Sequence, residues 1–435
     1  MTIIAVALMC VAVARAEDEF VPQMECIDGI WYETFMPSKE TVPSNDYGLK
    51  RNCAEVLGVG TNEVFARVCC NESEEILPIT ADITIPSHVT IGGKEYEVIA
   101  TGKNSLGKIT NGATVTLPST IKLIGTGSVW AKWEEKYTGD FYPTIVFDEA
   151  YIEVPESIVA IEESSFFGLK SKQEVYLPEI SILDYYSLNG FAAPKLILGS
   201  RLTAIRNNSI ATVDELVFED GDDKAMKWDG LGVPSNHTYF GSKSIYLSKI
   251  RELKLPKWEK LTLFDGFISH SNNLERVVFP DLNAINYETY IDFSGSMGLG
   301  YRGVLIQYCP NLKEVVCLGT TPPYIKYDPE MFDEGSYYWG DTGEFEIMDN
   351  MDDCVLKVPA GSEELYRADP VWGKFKTIYG FENGDYTSIV MPEVAAPEAE
   401  AVPLYHNLQG MRVEHPVRGQ LYIRTVGSRT DKVVY

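Results

Sequence analysis

Residues 115–129, Val115-Thr-Leu-Pro-Ser-Thr-Ile-Lys-Leu-Ile-Gly-Thr-Gly-Ser-Val129, hold the pattern that decides the fold. Apolar residues stand at 115 and 117, then at 121, 124 and 129. The row returns as Ile152-x-Val154 with Ile158, Ile161 and Phe166, as Val175-x-Leu177 with Ile180, Leu183 and Leu188, and as Leu196-x-Leu198 with Leu202, Ile205 and Ile210. Successive rows start 37, 23 and 21 residues apart, and the last pair in each is always five residues apart. One such unit cannot bury its apolar side alone, so copies must stack. The expected fold class is a β-rich solenoid.

The heads of the rows extend the pattern in both directions, from Ile83-Thr-Ile85-Pro86 to Leu356-Lys-Val358-Pro359. Apolar residues at i and i+2 of a strand share a face, here the inner one, and a following proline ends the ladder. The residue between them points out. Thr84, Thr116, Glu153, Tyr176, Ile197, Val217, Lys254, Val278, Val316 and Lys357 are therefore expected to form one exposed sheet face. Residues 125–148, 219–248, 291–309 and 324–352 overrun the repeat and read as insertions, which in repeat proteins often carry binding.

The flanks differ from the array. Residues 1–16 carry an apolar run, Ile3 to Val13, and Ala14-Arg15-Ala16, the marks of a secretory signal peptide. Residues 17–80 lack the repeat. Ile27–Tyr32 and Glu63–Cys69 read as strands of an N-terminal β cap over the apolar end of the stack. The array runs over 81–380 and closes with a short helix after Ser362, stopped by Pro370, with Tyr366, Trp372, Phe375 and Ile378 as apolar bulk. Residues 381–403 form an acidic Pro/Ala/Glu linker. Residues 404–435 form a small C-terminal β module, with strands at Gln420–Arg424 and Lys432–Tyr435.

Net charge is −26. That disfavours nucleic acid and anionic membrane surfaces as partners. Nothing beyond the leader approaches the length of a transmembrane segment. Once Cys10 leaves with the leader, seven cysteines remain, and an odd number is not a closed disulfide framework. One or two bridges among Cys26, Cys53, Cys69 and Cys70 are open at this point. Cys317 and Cys354 occupy core positions and read as small hydrophobes.

The residues of the array resemble the BspA-type leucine-rich-repeat surface proteins of bacteria. The carriers are Leu117-Pro-Ser-Thr-Ile-Lys-Leu-Ile124, Val154-Pro-Glu-Ser-Ile-Val-Ala-Ile161 and the opening turn Ile85-Pro-Ser-His-Val-Thr-Ile-Gly-Gly-Lys-Glu-Tyr96. Cys317-Leu-Gly-Thr-Thr-Pro-Pro323 and Val358-Pro-Ala-Gly-Ser362 with Trp372 and Phe375 are similar to the family's terminal repeats. The likeness covers about residues 81–380 and weakens over 219–265. It implies a leucine-rich-repeat right-handed coil with N- and C-terminal caps, secreted or held at the cell surface and active in adhesion. The tail Tyr405-His-Asn-Leu-Gln-Gly-Met-Arg-Val413 with Gly419–Ile423 resembles a C-terminal module of secreted proteins from the same bacterial group, which implies export or attachment.

No catalytic set stands out. Gly298-Leu-Gly-Tyr-Arg-Gly303 matches a dinucleotide fingerprint as a string but leads into Val304–Tyr308, which reads as a strand, so the required context fails. Glu219-Asp-Gly-Asp-Asp223 lacks the spacing of an EF-hand calcium loop. The expectation is a non-catalytic protein without cofactor or metal. The sharper leads are two aromatic insertions, one with Trp133, Tyr137 and Tyr142, the other with Tyr337, Tyr338 and Trp339. Exposed rings beside carboxylates serve a protein partner, host matrix or bacterial surface, or alternatively a glycan.

Overall fold

The computed structural model describes residues 20–43, 50–70, 78–136, 144–206, 208–210, 212–221, 238–240, 244–246, 248–258, 261–288, 304–326, 345–382, 384–386, 404–408, 412–413, 417, 420–426 and 429–434. The chain divides into two compact units, at Tyr386 and Thr387.

The first unit is built on parallel ladders to which each repeat adds a strand. A head ladder collects the period-2 pairs in three runs. These are Ile83–Thr84, Thr114–Thr116 and Tyr151–Glu153; then Val175–Leu177, Leu196–Leu198 and Leu216–Phe218; then Glu252–Lys254 through Thr377–Phe381. A middle ladder joins Lys94–Thr101, Leu123–Ile124, Ala160–Ile161, Ile182–Leu183, Ala204–Ile205, Thr238–Phe240, Leu261–Phe264, Ala284–Glu288 and Tyr324–Lys326. A third ladder pairs Leu106–Ile109 with Val129–Ala131. It continues through Leu188, Ile210 and Ile245 to Ile268–Ser269, Val304–Gln307 and Glu346–Met348. The registers match the sequence rows: Val175 lies beside Leu196 and Leu183 beside Ile205. Val115, Leu117, Ile121, Ile124 and Val129 are all buried, and with their counterparts they form one apolar core from Tyr32 to Ile378. Cys317 and Cys354 belong to it, and burial pushes the Cys354 thiol up to about 12.

The five-residue spacing is a corner between the middle and third ladders. Its third residue takes a left-handed backbone: Asn104, Gly127, Ser164, Tyr186, Asn208 and Gly266 have φ of 55°, 56°, 54°, 53°, 55° and 57°. Its fourth is usually serine. The amide after it bonds the next repeat's corner, as in Phe166 N–H to Ser187 O and Leu188 N–H to Ser209 O, both 2.9 Å. The hydroxyls turn inward. Ser165 donates to Gly125 O at 2.8 Å and Ser209 to Asp184 O at 2.7 Å, a second bond to carbonyls that already accept Ser128 N–H and Ser187 N–H, both at 3.1 Å.

The N-terminal stretch departs from expectation. Ile27–Tyr32 is no single strand. Asp28 and Gly29, with φ of 52° and 83°, form a two-residue turn between Met24–Ile27 and Ile30–Phe35. Asp-Gly is the dipeptide that accepts two left-handed residues. Phe65–Cys69 then runs antiparallel to Ile30–Phe35 and parallel to Lys94–Thr101, so these strands prolong the middle ladder. Phe35, Val42, Cys53, Val56 and Leu57 pack on the outer side of that ladder, against Ile99, Ala100, Leu123 and Ala160. The described cysteines are all free. Cys26 and Cys69 stand on opposite sides of Trp31 in register, two strand spacings or about 10 Å apart, beyond the reach of a disulfide.

The expected exposed row also needs correction. Thr84, Glu153 and Lys254 are exposed, but Thr116, Tyr176, Ile197 and Val217 are half-buried, and Val278, Val316 and Lys357 are buried. Lys357 is held by Glu314 at 3.0 Å and by the Tyr386 carbonyl at 3.1 Å, so the segment after the last head strand returns over this face. Glu363–Ala368 is helical after Ser362, but the Ser362 side chain does not cap it. Asp369 instead receives the amides of Val371 and Trp372 at 2.9 Å, and Trp372 Nε1 donates to Pro323 O at 2.9 Å. In the second unit Leu404–His406, Arg412–Val413, Leu421–Val426 and Arg429–Val434 form an antiparallel sheet.

A methyl group added at Gly125 would collide with the Thr101 carbonyl and the Gly102 backbone. Gly125→Ala should therefore lower stability by about 2 kcal/mol, an overpacking cost, read as a lower urea midpoint at unchanged slope.

Candidate partner-binding surface

The first aromatic insertion leaves the array as a hairpin. Trp133–Lys136 pairs antiparallel with Thr144–Phe147, and Trp133 lies opposite Phe147. Its base is tied down. Asp148 N–H donates to Lys132 O at 2.7 Å, Lys132 N–H to Ile109 O at 2.8 Å, and Thr110 donates its hydroxyl to the Asp148 carboxylate. Phe147 pins the hairpin to the repeats. Its ring lies over Gly168 and Gly190, at φ of 72° and 71°, and a Cβ on either would run into it. Phe167 meets Phe147 edge-on at 4.8 Å and Trp133 at 6.3 Å.

With Phe147 and Phe167 filling the inner side, Trp133 keeps 40% of its surface in solvent, on the same hairpin face as Ile145, at 43%; Val146, at 37%, lies on the opposite face with Glu134. Glu134 and Glu135 are exposed on the same strand. One face of the hairpin therefore presents Trp133 and Ile145 with the Glu135 carboxylate beside them, held by a packed root. Trp133 is the one expected site residue the structure describes; Tyr137, Tyr142, Tyr337, Tyr338 and Trp339 lie outside the described residues. Trp130, three residues earlier in the chain, is half-buried over Gly107.

A second feature was not anticipated. A cleft of about 440 Å³ opens between the N-terminal strands and the first repeats, lined by Glu33, Glu40, Arg67, Lys103, Thr126 and Glu162 among others. Its origin is the first corner position. Successive repeats place Gly102, Gly125, Glu162, Asp184 and Arg206 there, each bonded to the previous repeat, as in Gly125 N–H to Thr101 O at 3.0 Å and Asp184 N–H to Ile161 O at 3.0 Å. Two glycines leave a hollow, and three charged residues continue the column. Asp184 and Arg206 pair at 2.5 Å with 4% and 7% of their side chains exposed. In the hollow, Arg67 bonds Glu33 and Glu40, both at 2.7 Å.

Among the described residues, Glu162 has no cationic partner in the hollow. It accepts the Thr126 amide at 2.9 Å and hydroxyl at 3.0 Å. Burial raises its carboxyl above the usual 4.5; the Thr126 bonds oppose this, and Asp184 and Glu40 add to it. Cys69, at the cleft wall, is pushed up to about 12 by burial and by Glu33, so it is not a ready nucleophile. Among the described residues no group of three His, Cys, Asp or Glu is placed to hold a metal ion. Glu219 and Asp220 of the acidic loop are engaged in the fold, Glu219 by Tyr176 at 2.8 Å and Asp220 by Lys257 N–H at 2.8 Å. Residues 222–223 of that loop and the Gly298–Gly303 string lie outside the described residues. Among the described residues no helix is long and apolar enough to cross a membrane.

No protein-family model matches the chain, and no curated protein matches it. Among solved structures it is similar to a leucine-rich repeat protein from Bacteroides ovatus, at 13% identity over 84% of this chain and 99% of that one, with a TM-score of 0.27. A leucine-rich cell surface protein from Faecalibacterium prausnitzii matches at 11% identity over 85% and 97%, TM-score 0.20. The pneumococcal vaccine antigen PcpA matches at 11% over 82% and 98%, TM-score 0.20. Scores at this level carry no argument about what the chain does, and the reading below rests on its own residues.

Because the folded state binds the Glu162 proton more tightly than the unfolded chain does, ionising Glu162 costs stability as pH rises above 4.5. Glu162→Gln, which can still accept from Thr126, should be more stable than the wild-type chain at pH 7. The gap should close by about pH 4, where both states hold the proton; paired denaturation curves across that range measure it.

Proposed function

We propose that the chain is a non-catalytic leucine-rich-repeat solenoid, coiled right-handed, that is exported and binds a protein partner, host matrix or bacterial surface, in adhesion. The observation that carries the reading is the pinned hairpin. Phe147 and the two glycines beneath it spend packing on a hairpin whose base leaves Trp133 40% exposed, and the buried core gains nothing from that exposure. A tryptophan held rigid beside aliphatic residues and a charged rim has the make-up of an interface anchor. In this reading residues 1–16 direct export, the N-terminal strands and the closing helix cover the ends of the stack, and residues 404–435 serve export or attachment.

The test is a pull-down with the purified chain against matrix proteins and bacterial surface extracts, followed by affinity measurement on what is recovered. Trp133→Ala should weaken that binding about tenfold or more without changing the melting temperature by more than a degree or two. Recovery of nothing above background, or full affinity in Trp133→Ala, contradicts the reading. A glycan array run beside it decides the competing role of the aromatic insertions: sugar binding lost in Trp133→Ala or Trp339→Ala would assign those loops to a glycan.

A further inference from the structure

The column of first corner positions carries a template for its own hollow. Glu162 and Asp184 hold that position in successive repeats, one residue past Ile161 and Leu183, which lie in register. The two carboxylates are seated alike. Each accepts an amide from the residue after the corner position of the preceding repeat, Thr126 for Glu162 and Glu163 for Asp184. Asp184 then pairs with a guanidinium, that of Arg206 in the following repeat. For Glu162 the following repeat supplies Asp184, a second carboxylate, and the two preceding repeats supply Gly125 and Gly102. The charges that bear most on its carboxyl are Asp184 and Glu40, both negative.

The repeats cannot supply the missing cation from those two positions. A Cβ at Gly125 would run into Thr101 O and the Gly102 backbone, and a Cβ at Gly102 would press on Val68 O and the Arg67 stem. The hollow over the glycines is therefore kept open by the backbone that surrounds it. Its walls are rich in acceptors. Arg67 takes one oxygen of Glu33 and one of Glu40, and Thr126 takes one of Glu162. Among the described residues the second oxygen of each carboxylate accepts no hydrogen bond, so three acceptors remain along one cleft. Lys103, the other cation of the lining, is exposed and forms no ion pair among the described residues.

We propose that this cleft receives an arginine side chain of the protein partner, with Glu162 as its carboxylate, an inference that rests on the reading of the chain as a protein-binding repeat. A guanidinium carries five N–H donors in a planar fork, which suits several carboxylate oxygens at once. It is also more weakly hydrated than an ammonium, which favours it in buried pairs. The chain itself makes the same choice on both sides of the hollow, with Arg206 against Asp184 and Arg67 against Glu33 and Glu40. A metal ion fits less well, because among the described residues no three ligating groups converge. The volume of about 440 Å³ is that of a small-ligand site and leaves room for one long side chain. A chain of net charge −26 also draws a basic surface toward it.

The test titrates the full chain, at neutral pH and low salt, with three blocked amino acids that carry no backbone charge: acetyl-arginine methylamide, its lysine counterpart and its citrulline counterpart. Citrulline keeps the shape of arginine and loses the charge. The wild type should bind the arginine probe saturably and the citrulline probe about tenfold or more weakly, and Glu162→Gln should lose about tenfold for arginine. Glu162→Gln is expected to be the more stable chain at that pH, so weaker binding in it is not a loss of fold; its melting curve checks this. Trp133→Ala should bind the probe as the wild type does. No saturable binding of the arginine probe overturns the proposal, as does equal affinity for citrulline or undiminished affinity in Glu162→Gln. A lysine probe that binds as tightly as arginine overturns the choice of a guanidinium. The probe needs no partner, so the two readings fail separately. Probe binding beside an empty pull-down contradicts the adhesion reading alone, and a recovered partner without probe binding contradicts this site alone.

Discussion

From Thr101 to Ile268 each repeat turns from the middle ladder to the third in five residues, and the rest of the structure depends on that corner. The turn closes because one residue accepts a left-handed backbone and the next places a small hydroxyl inside. Asn104, Gly127, Ser164, Tyr186, Asn208 and Gly266 do the first; Ser128, Ser165 and Ser209 do the second, bonding Thr101, Gly125 and Asp184 of the preceding repeat. A corner that bonds its neighbour sets the rung spacing. Once it is set, the apolar pairs of the head ladder meet in register, and a slip of one residue would turn each of them outward.

The same corner decides where chemistry sits. Its first position is open to variation because its backbone bond, not its side chain, holds the rung. Glycine there makes the N-terminal hollow, a carboxylate makes Glu162, and an opposite pair makes the buried Asp184–Arg206 contact. Just beyond the corner, glycine makes a seat for Phe147, whereas His270 and Tyr308 make a surface of rings. The hollow, the buried charges and the ring stripe therefore sit at turns between ladders more than on the strand faces.

This explains what the sequence revealed and what it hid. The rows from Val115 to Ile210 were legible because apolar burial imposes a spacing that no other constraint disturbs. Trp133 was legible because its insertion breaks that spacing. The outer row was misread at Val278, Val316 and Lys357, since alternation within a strand says which side a residue faces and not what later covers that side. Asp28-Gly29 was readable as a turn but was absorbed into an apolar run. The serine of each corner and the column from Gly102 to Arg206 needed the rows to be aligned position by position, including polar residues that hydrophobic patterning ignores. The Tyr246–His270–Tyr308 stripe joins residues 24 and 38 positions apart that only the register brings together.

The central claim is that the repeats are interchangeable rungs fixed by the corner. Removing residues 178–198 takes out one whole rung and joins Leu177 to Gly199 with every ladder in register. It also brings Arg206 beside Glu162, replacing the lost Asp184. Urea unfolding of that deletion variant followed by far-ultraviolet circular dichroism is the most direct measurement. The account predicts a β-rich chain that unfolds in one cooperative step, while a deletion one residue shorter, 178–197, does not fold. Loss of cooperative unfolding in the in-register deletion, or equal behaviour of the two, would contradict it.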